Sequence, residues 1–256
     1  MNIAIVLCAG FATRMYPLTK EFPKPLLEVA GRPVIDYLMD QLVELPGLDA
    51  IYLISNGKFY PHFAEWKRLW EQNNRSYCPV VELLNDGAMD NDHRLGAPAD
   101  FQLVMNTIPE PTRIMVTAGD NIYRFGIKPL WEQFLQDDRH YIVALPESDR
   151  KKLKKTGVLE LTTDDHVTRL YEKPAHPSSE WFCPPLYFFQ SNVSKILDEF
   201  LAHDAASDAP GYFIGFLCRK EPVYAFRLNA SRLDIGSIES YRAADYSLRN
   251  KPLKVQ

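Results

Sequence analysis

The stretch from Ile3 to Leu27 constrains the fold of this chain more than any other. It opens with the apolar run Ile3–Leu7, which is long enough for a buried strand. The small residues Cys8-Ala9-Gly10 follow at once, and small residues after a strand let backbone N–H groups approach a ligand closely. Successive N–H groups in such a turn form a concavity that binds anions. The sequence therefore predicts a polyphosphate site at the carboxyl end of the first strand.

The distribution of charge agrees with an anionic ligand in this stretch. The whole chain has a formal net charge of −4, so no global positive field attracts nucleic acid or an anionic membrane surface. Residues 1–35 reverse that sign, with four basic side chains against two acidic ones. A second basic run, Arg150–Lys155, is expected to be a solvated loop or hairpin rather than a nucleic-acid contact.

Strand-like and helix-like segments alternate along most of the chain, as in parallel α/β layers. The apolar runs predict strands at Ile3–Leu7, Ala50–Ile54, Pro79–Leu84, Arg113–Thr117 and Tyr141–Leu145. Helical spacing of apolar residues predicts helices at Val34–Leu45, Phe59–Asn74, Pro98–Asn106, Leu130–Leu135, Val193–His203, Tyr212–Cys218 and Ser237–Leu248. From Gly157 the strands become short and closely spaced: Gly157–Leu161, Val167–Glu172, Leu186–Phe189 and Val223–Leu228. The first two resemble a hairpin, and we expect one domain over residues 1–256.

Several polar residues follow predicted strands, where open α/β sheets bind their ligands. Asp120 and Asp234 in these positions are suitable ligands for one Mg²⁺, which prefers hard oxygen atoms and keeps waters and substrate phosphates. Taken singly, an aspartate after a strand is more often a helix cap or a turn former. Glu172 and Lys173 stand side by side at another strand end and suit a hydroxyl-rich partner and a phosphate, although such a lysine is more often a surface residue.

Other classes of site fit the sequence less well. The polar stretch Asn85–Gly96 fails as a calcium loop because Arg94 stands where a ligand is needed, so it is either a solvated loop or a ligand-facing one. The GxGxxG spacing of dinucleotide-binding proteins is absent. The cysteines are widely spaced, which favours reduced buried thiols over disulfides or zinc; they are Cys8, Cys78, Cys183 and Cys218. No signal peptide or membrane span is expected, and the expected compartment is the cytoplasm.

The N-terminal segment LCAGFATRMYPLTKEFPKPLLEVAGRPVIDY resembles the signature of sugar-phosphate nucleotidyltransferases, roughly L-A-G-G-x-G-T-R-L-x-P-L-T…P-K-P-L-L-x-V-x-G-K-P. Later segments agree in order and spacing: A-G-D-N at 118–121, E-K-P at 172–174 and D-I-G-S-I-E-S-Y at 234–241. The resemblance is strongest to glucose-1-phosphate thymidylyltransferases and uridylyltransferases. It implies a three-layer α/β/α Rossmann-like fold with a mostly parallel central sheet and a small strand-rich sugar-binding subregion. Residues 1–125 would form the nucleotide-binding half and residues 126–256 the sugar-phosphate-binding half.

The resemblance also implies an activity, a cofactor and a set of site residues. A nucleotidyl group would pass from an NTP, with dTTP or UTP favoured, to a sugar-1-phosphate, with glucose-1-phosphate favoured, in the presence of Mg²⁺. Arg14 would grip the β- and γ-phosphates, Lys24 would contact the α-phosphate, and Asp120 would complete the catalytic set. The nucleotide-binding residues would be Leu7, Ala9, Gly10, Phe11, Ala12, Thr13, Gly96 and Asp120. The sugar-phosphate contacts would be Asn121, Gly157, Glu172 and Lys173, and the metal ligands Asp120 and Asp234.

Some positions depart from the family's pattern. Ala12 replaces a loop glycine, Cys8 replaces a small residue, and Arg232 stands where relatives often have tryptophan. Pro184-Pro185 replaces Thr-Gly near the sugar, and Ala99 lacks an amide for reading the base. The base and the sugar are therefore less well defined than the reaction class. A cytidylyltransferase for a phosphorylated alcohol such as phosphocholine and a non-catalytic nucleotide-sensing homologue stay open, as does a homo-oligomer. We expect no acyltransferase-type repeat after the last helix.

Overall fold

The apolar run at the N-terminus forms an inner strand of a ten-stranded sheet. The structure is a computed structural model that describes residues 1–74, 79–203 and 208–251. Its strands are β1 (Asn2–Leu7), β2 (Glu28–Val29), β3 (Arg32–Pro33), β4 (Ala50–Ser55), β5 (Val80–Asn85), β6 (Arg113–Ala118), β7 (Asn121–Tyr123), β8 (His140–Pro146), β9 (Gly157–Leu161), β10 (Val167–Glu172), β11 (Trp181–Cys183), β12 (Leu186–Gln190), β13 (Val223–Arg227) and β14 (Arg232–Asp234). Its α-helices are α1 (Val34–Leu42), α2 (Tyr60–Asn73), α3 (Ala97–Thr107), α4 (Lys128–Leu135), α5 (Arg150–Leu153), α6 (Val193–His203), α7 (Pro210–Lys220) and α8 (Ile238–Asn250).

Strand β1 lies between two parallel neighbours, β4 and β6. Strand β5 extends the parallel part beyond β4. Because the four strands run in one direction, the loops at their carboxyl ends meet at one edge of the sheet. On the other side of β6, the antiparallel strand β12 leads to β8, β11, β9 and β10, and β13 pairs in parallel with β8. The predicted α/β fold, with a parallel centre and a strand-rich second part, is confirmed.

Alternation along β1 divides the core into two layers. Ala4 and Val6 face a cluster that includes residues of α1, α2 and α4, whereas Ile3 and Ile5 face a cluster that includes residues of α3, α6 and α7. Every one of these β1 side chains is fully buried. A strand buried on both faces has a continuous apolar sequence, which is the pattern of the N-terminal run.

Several short elements were not predicted. The basic run Arg150–Lys155, expected as a loop or hairpin, begins with helix α5, because the Asp149 side chain accepts a hydrogen bond from the Lys151 N–H and caps the turn. The pair β7–β14 and strand β11 were also missed, since strands of three residues carry too little periodicity to be recognised. The hairpin β9–β10 is confirmed, with an irregularity between Val167 and Arg169.

Cys8, Cys183 and Cys218 have free thiols, as expected, and the prediction for Cys78 lies outside the described residues. Among the helices of the described ranges, none has both the length and the apolar character needed to cross a membrane.

Candidate active site

The loop after β1 is held in place by a buried asparagine. The Cys8 N–H donates to the Ile54 carbonyl over 2.8 Å, which continues the β1–β4 ladder past Leu7. Asn56 Nδ2 then donates to the Ala9 carbonyl over 2.8 Å, and Asn56 Oδ1 accepts from the Phe59 N–H at the same distance. The Asn56 side chain is fully buried. Sequence reasoning treated this residue only as part of a turn, although a buried asparagine after a strand is a signal for such an anchor.

The loop then turns sharply at Ala12. This residue has φ 50° and ψ 42°, the left-handed conformation that favours glycine. Its carbonyl accepts hydrogen bonds from the Met15 N–H at 2.9 Å and from the buried hydroxyl of Thr19 at 2.8 Å. The turn leads into the short 3₁₀ helix Thr13–Met15, on which Thr13 and Arg14 are exposed. Across the described residues, Arg14 forms no ion pair, so its guanidinium is available to an anion in the loop.

Lys24 and Asp120 come together at the end of the loop. Lys24 begins a 3₁₀ helix that Pro23 precedes, and its Nζ forms an ion pair with Asp120 Oδ2. The two side chains are 14% and 24% exposed. Burial opposes ionisation of Asp120, but the Lys24 charge and hydrogen bond outweigh it, and the pKa of Asp120 is lowered. The proposed α-phosphate lysine and the proposed metal ligand are thus in direct contact.

Close packing places Asp120 against the first loop. The Gly119 N–H donates to the Leu7 carbonyl over 3.1 Å, because β6 pairs with β1. A Cβ on Gly119 would lie 2.5 Å from the Cys8 sulfur. The buried Cys8 thiol therefore takes space that only glycine leaves free, and burial raises the pKa of this thiol well above its usual range. We assign Cys8 a packing role.

Asp234 reaches the same place from the far part of the chain. Strands β7 and β14 form a separate antiparallel pair in which Asp234 lies opposite Asn121, directly beside Asp120. Asp234 therefore ends a strand of its own small sheet. The sequence predicted instead that it follows a strand of the large sheet. A Cβ on Gly236 would lie 2.7 Å from Asp234 Oδ2, so the backbone of the next turn closes on this carboxylate. Helix α8 then starts with a capping box between Ser237 and Ser240.

The Asp120–Asp234 pair fits Mg²⁺ by its chemistry. Both side chains offer hard oxygen atoms, and Mg²⁺ is commonly bound through one or two carboxylates together with substrate phosphates. In the described parts of the chain no group of three or more carboxylate, histidine or cysteine side chains forms a metal cage. The pair therefore fits a metal that arrives with a phosphate ligand rather than a resident ion in a closed protein site.

A cavity of about 130 Å³ is lined in part by Arg232, whose Nη1 lies 3.6 Å from Asp234 Oδ1. Gly157 and Glu172 face each other at the open end of the β9–β10 pair and both line it. The Glu172 side chain is 10% exposed, and burial raises the pKa of its carboxyl group. Lys173, with φ 49°, turns its Nζ to 3.6 Å from Glu172 Oε1 and is 55% exposed. Any side chain on Gly211 of α7 would collide with the Glu172 carboxylate.

The stretch Asn85–Gly96 is docked to the protein at its carboxyl end. Arg94 Nη2 forms an ion pair with Asp208 Oδ2 at 2.6 Å, and the Asp208 carbonyl accepts from the Ala97 N–H at 3.0 Å. Gly96 has φ 92°, and a Cβ there would lie 2.9 Å from the Asp208 Cα. Gly96 is thus required by its backbone conformation and by this contact.

Asp100, behind this stretch, was not predicted as a buried acid. It is only 5% exposed, and its carboxyl group lies close to that of the half-buried Asp86. Burial, assisted by the charge of Asp86, raises the pKa of Asp100 to about 8. The two residues connect the start of α3 to the end of β5.

Comparison with known proteins identifies the family and the fold. The family model described as "Nucleotidyl transferase" matches residues 3–251. The bifunctional protein GlmU of Methanocaldococcus jannaschii is 24% identical over 233 residues, which are 91% of this chain and 51% of that protein. The UTP–glucose-1-phosphate uridylyltransferase AglF of Haloferax volcanii is 24% identical over 251 residues, 97% of either chain. The chain thus spans about half the length of the GlmU relative and nearly all of AglF.

The fold has solved counterparts. A Bacillus anthracis protein assigned as a glucose-1-phosphate thymidylyltransferase, crystallised with sucrose, superposes with a TM-score of 0.83 at 19% identity. The match covers 99% of this chain and 98% of the other. Because the family model matches almost the whole chain, the protein belongs to the nucleotidyl transferase family.

Proposed function

We propose that the protein transfers a nucleotidyl group from dTTP or UTP to a sugar-1-phosphate and releases pyrophosphate. The observation that carries the proposal is the contact between Lys24 and Asp120, which joins the loop after β1 to the carboxylate pair. The cavity lined by Gly157, Glu172 and Arg232 is a candidate place for the acceptor. The names of AglF and of the Bacillus anthracis protein support a glucose-1-phosphate-type acceptor.

The chemistry needs little from side chains beyond charge and position. An oxygen of the acceptor's phosphate attacks the α-phosphorus of the nucleotide, the bond from that phosphorus to the bridging oxygen of the β-phosphate breaks, and pyrophosphate leaves with the electron pair. The attacking oxygen is already ionised near neutral pH, so no general base is required. The rate then depends on alignment of the two phosphates and on neutralisation of their charge.

Each residue has a role that follows from its position. Backbone N–H groups of the loop from Ala9 to Thr13 would bind the triphosphate, and the exposed Arg14 would neutralise the departing pyrophosphate. Lys24 would neutralise the α-phosphate. Asp120 and Asp234 would hold Mg²⁺, which supplies a template and a Lewis acid for the phosphates. Because the pKa of Asp120 is lowered, this carboxylate is ionised at neutral pH and ready for a cation.

The test is a screen for pyrophosphate release. All four NTPs and dTTP would be paired with a panel of sugar-1-phosphates and with phosphocholine, each with and without Mg²⁺. We expect turnover with a sugar-1-phosphate and a pyrimidine nucleotide, and we expect Asp120→Asn to lower it about 100-fold or more, as is typical when a charge-stabilising group is lost. Asp138→Asn is the matched control, because the Asp138 side chain is 96% exposed and belongs to another part of the surface.

Each alternative has a distinct outcome in the same screen. Turnover confined to CTP and phosphocholine would establish the cytidylyltransferase alternative in place of our proposal. Nucleotide binding without pyrophosphate from any pair would establish a sensor. Equal turnover of Asp120→Asn and the wild type would remove Asp120 from the reaction.

A further inference from the structure

Arg232 lies on the wall of the cavity that Gly157 and Glu172 also line. It is the first residue of β14 and pairs with Tyr123 of β7. Its side chain is only 12% exposed, and its guanidinium lies over the Phe182 ring, 5.5 Å from the ring centroid. A permanent positive charge is therefore largely removed from water at the place where a polar ligand would enter.

The guanidinium is held from one side only. Its Nη1 donates to Asn121 Oδ1. The same nitrogen is 3.6 Å from Asp234 Oδ1, which is beyond hydrogen-bond distance, and the Asp234 side chain is 54% exposed. Within residues 1–74, 79–203 and 208–251 no protein group accepts a hydrogen bond from Arg232 Nη2 or Nε. Two of its three nitrogen atoms thus remain available to a ligand.

An anion satisfies this group better than a hydroxyl does. The attraction between Arg232 and Asp234 is weak, because an exposed carboxylate at this distance is well screened. A partly buried charge without a close partner is costly, and hydrogen bonds to neutral groups compensate it only in part. The guanidinium fork matches a carboxylate in a bidentate way, which makes the contact strong and directional.

The described wall of the cavity carries more positive than negative side chains. Lys155 lines it together with Arg232, and Glu172 is the one carboxylate among its described lining residues. Glu172 already faces Lys173 across 3.6 Å. The family resemblance gives Lys173 a contact with the sugar phosphate, and the proposed function gives Arg232 no role. Arg232, whose charge also acts on Asp120 and lies 3.6 Å from Asp234, is thus a further cation of the cavity.

We infer that the acceptor is a sugar-1-phosphate that carries a second anionic group, such as the carboxylate of a uronic acid, and that Arg232 binds this group. The inference rests on the proposed nucleotidyl transfer and names the class of its acceptor. A carboxylate and a second phosphate share the chemistry that Arg232 recognises, so the experiment includes both.

The test compares three acceptors at a saturating concentration of nucleotide: glucose-1-phosphate, glucuronic acid-1-phosphate and glucose-1,6-bisphosphate. We expect kcat/KM for one of the two acceptors with a second anionic group to exceed that for glucose-1-phosphate at least tenfold, and the better of the two identifies the group. Arg232→Gln should lower this ratio about tenfold or more. Arg232→Lys keeps the charge and loses the guanidinium fork, so its ratio should lie between those of the wild type and Arg232→Gln.

Arg227→Gln is the matched control, because Arg227 forms its ion pair with Asp165 outside the cavity. Its ratio should equal that of the wild type. Titration calorimetry of the three acceptors without nucleotide supplies a readout that does not depend on turnover, and there too the preferred acceptor should bind Arg232→Gln about tenfold more weakly. If Arg232→Gln does not fold, Arg232→Lys carries the comparison.

The outcomes separate this inference from the proposed function. Equal or better use of glucose-1-phosphate by the wild type would overturn the inference and leave nucleotidyl transfer intact. A ratio unchanged by Arg232→Gln would remove Arg232 from recognition. If no acceptor releases pyrophosphate, the proposed function fails. The inference is then overturned as well if calorimetry shows that neither acceptor with a second anionic group binds more tightly than glucose-1-phosphate.

Discussion

Ala12 shows how a single residue can keep a backbone conformation that its side chain disfavours. The left-handed conformation brings the Cβ of an L-residue close to its own backbone and costs about 1–2 kcal/mol. The conformation is nonetheless maintained, because the Ala12 carbonyl accepts from both Met15 and the buried Thr19. The departure from glycine noted in the sequence therefore stores strain in the loop.

Ala12→Gly should raise the free energy of unfolding. Relief of the strain is offset in part by the greater freedom that glycine gives the unfolded chain, so we expect a gain of about 0.5 kcal/mol. Ala30→Gly is the comparison, because Ala30 has φ 52° and belongs to another turn. Urea unfolding of both variants measures the effect. A loss of more than 1 kcal/mol confined to Ala12→Gly would show that the methyl group itself stabilises the loop.

At this scale the sequence predicted the charged residues better than the neutral anchors. The contacts Lys24–Asp120 and Gly157–Glu172 join residues that the motifs had already singled out. Asn56 was overlooked, because its amide binds only backbone groups, and the one in the loop after β1 is remote in sequence.

Helix α3 is attached to the sheet through acidic residues as well as apolar packing. Asp100 in its first turn lies close to Asp86 after β5, and Asp86 Oδ2 and Asp100 Oδ1 are buried without a hydrogen-bond partner among the described residues. This arrangement is stable only while one of the two groups is protonated, because two carboxylates in contact repel each other. The position of Gly96 and of α3 therefore depends on a proton.

The free energy of unfolding should fall as the pH rises from about 4 to 8. The folded pKa of Asp100, about 8, is above the value of about 3.9 for an unfolded aspartate. Between these two values the folded state keeps a proton that the unfolded state loses. The stabilisation from this proton is complete below the unfolded pKa and is lost once the pH has risen to the folded pKa. The slope is at most about 1.4 kcal/mol per pH unit.

Asp100→Asn should remove this slope, since the amide does not titrate. Urea unfolding at a series of pH values between 5 and 9 measures it, with Asp92→Asn as the control at an exposed carboxylate. A slope that persists in Asp100→Asn would assign the effect to another group.

Elements with strong periodicity were predicted and pairings between remote segments were not. The strands around β1 follow from their apolar runs. The pair β7–β14 does not, because each strand has three residues and the partners are distant in sequence. The one sequence signal for helix α5 was the capping residue Asp149, and the basic run that follows it was interpreted only by its charge.

For the molecule as a whole, the candidate site is assembled from segments of both halves. The loop after β1, the turn after β6 and strand β14 meet around Asp120. A nucleotide held by all three would bind the folded state and not the unfolded one. Binding should therefore stabilise the entire molecule.

We expect Mg²⁺ with dTTP or UTP to raise the free energy of unfolding by about 2.7 kcal/mol at 100 times the dissociation constant. Part of this increase should require the metal and should disappear in Asp120→Asn, while Asp138→Asn keeps it. Urea unfolding with nucleotide, with and without Mg²⁺, is the measurement. The same stabilisation in all samples would contradict the assignment of the carboxylate pair.

The pairing of β7 with β14 has a consequence for the order in which the protein gains its activity. The Asn121–Arg232 contact joins residues 111 positions apart, and Asp234 lies at the other end of β14 from Arg232. During synthesis the loop after β1 and strand β6 leave the ribosome first, but Asp234 arrives only with the last part of the described chain. The proposed carboxylate pair therefore forms only when β14 has folded onto β7, and a nucleotide that needs both carboxylates cannot bind before then.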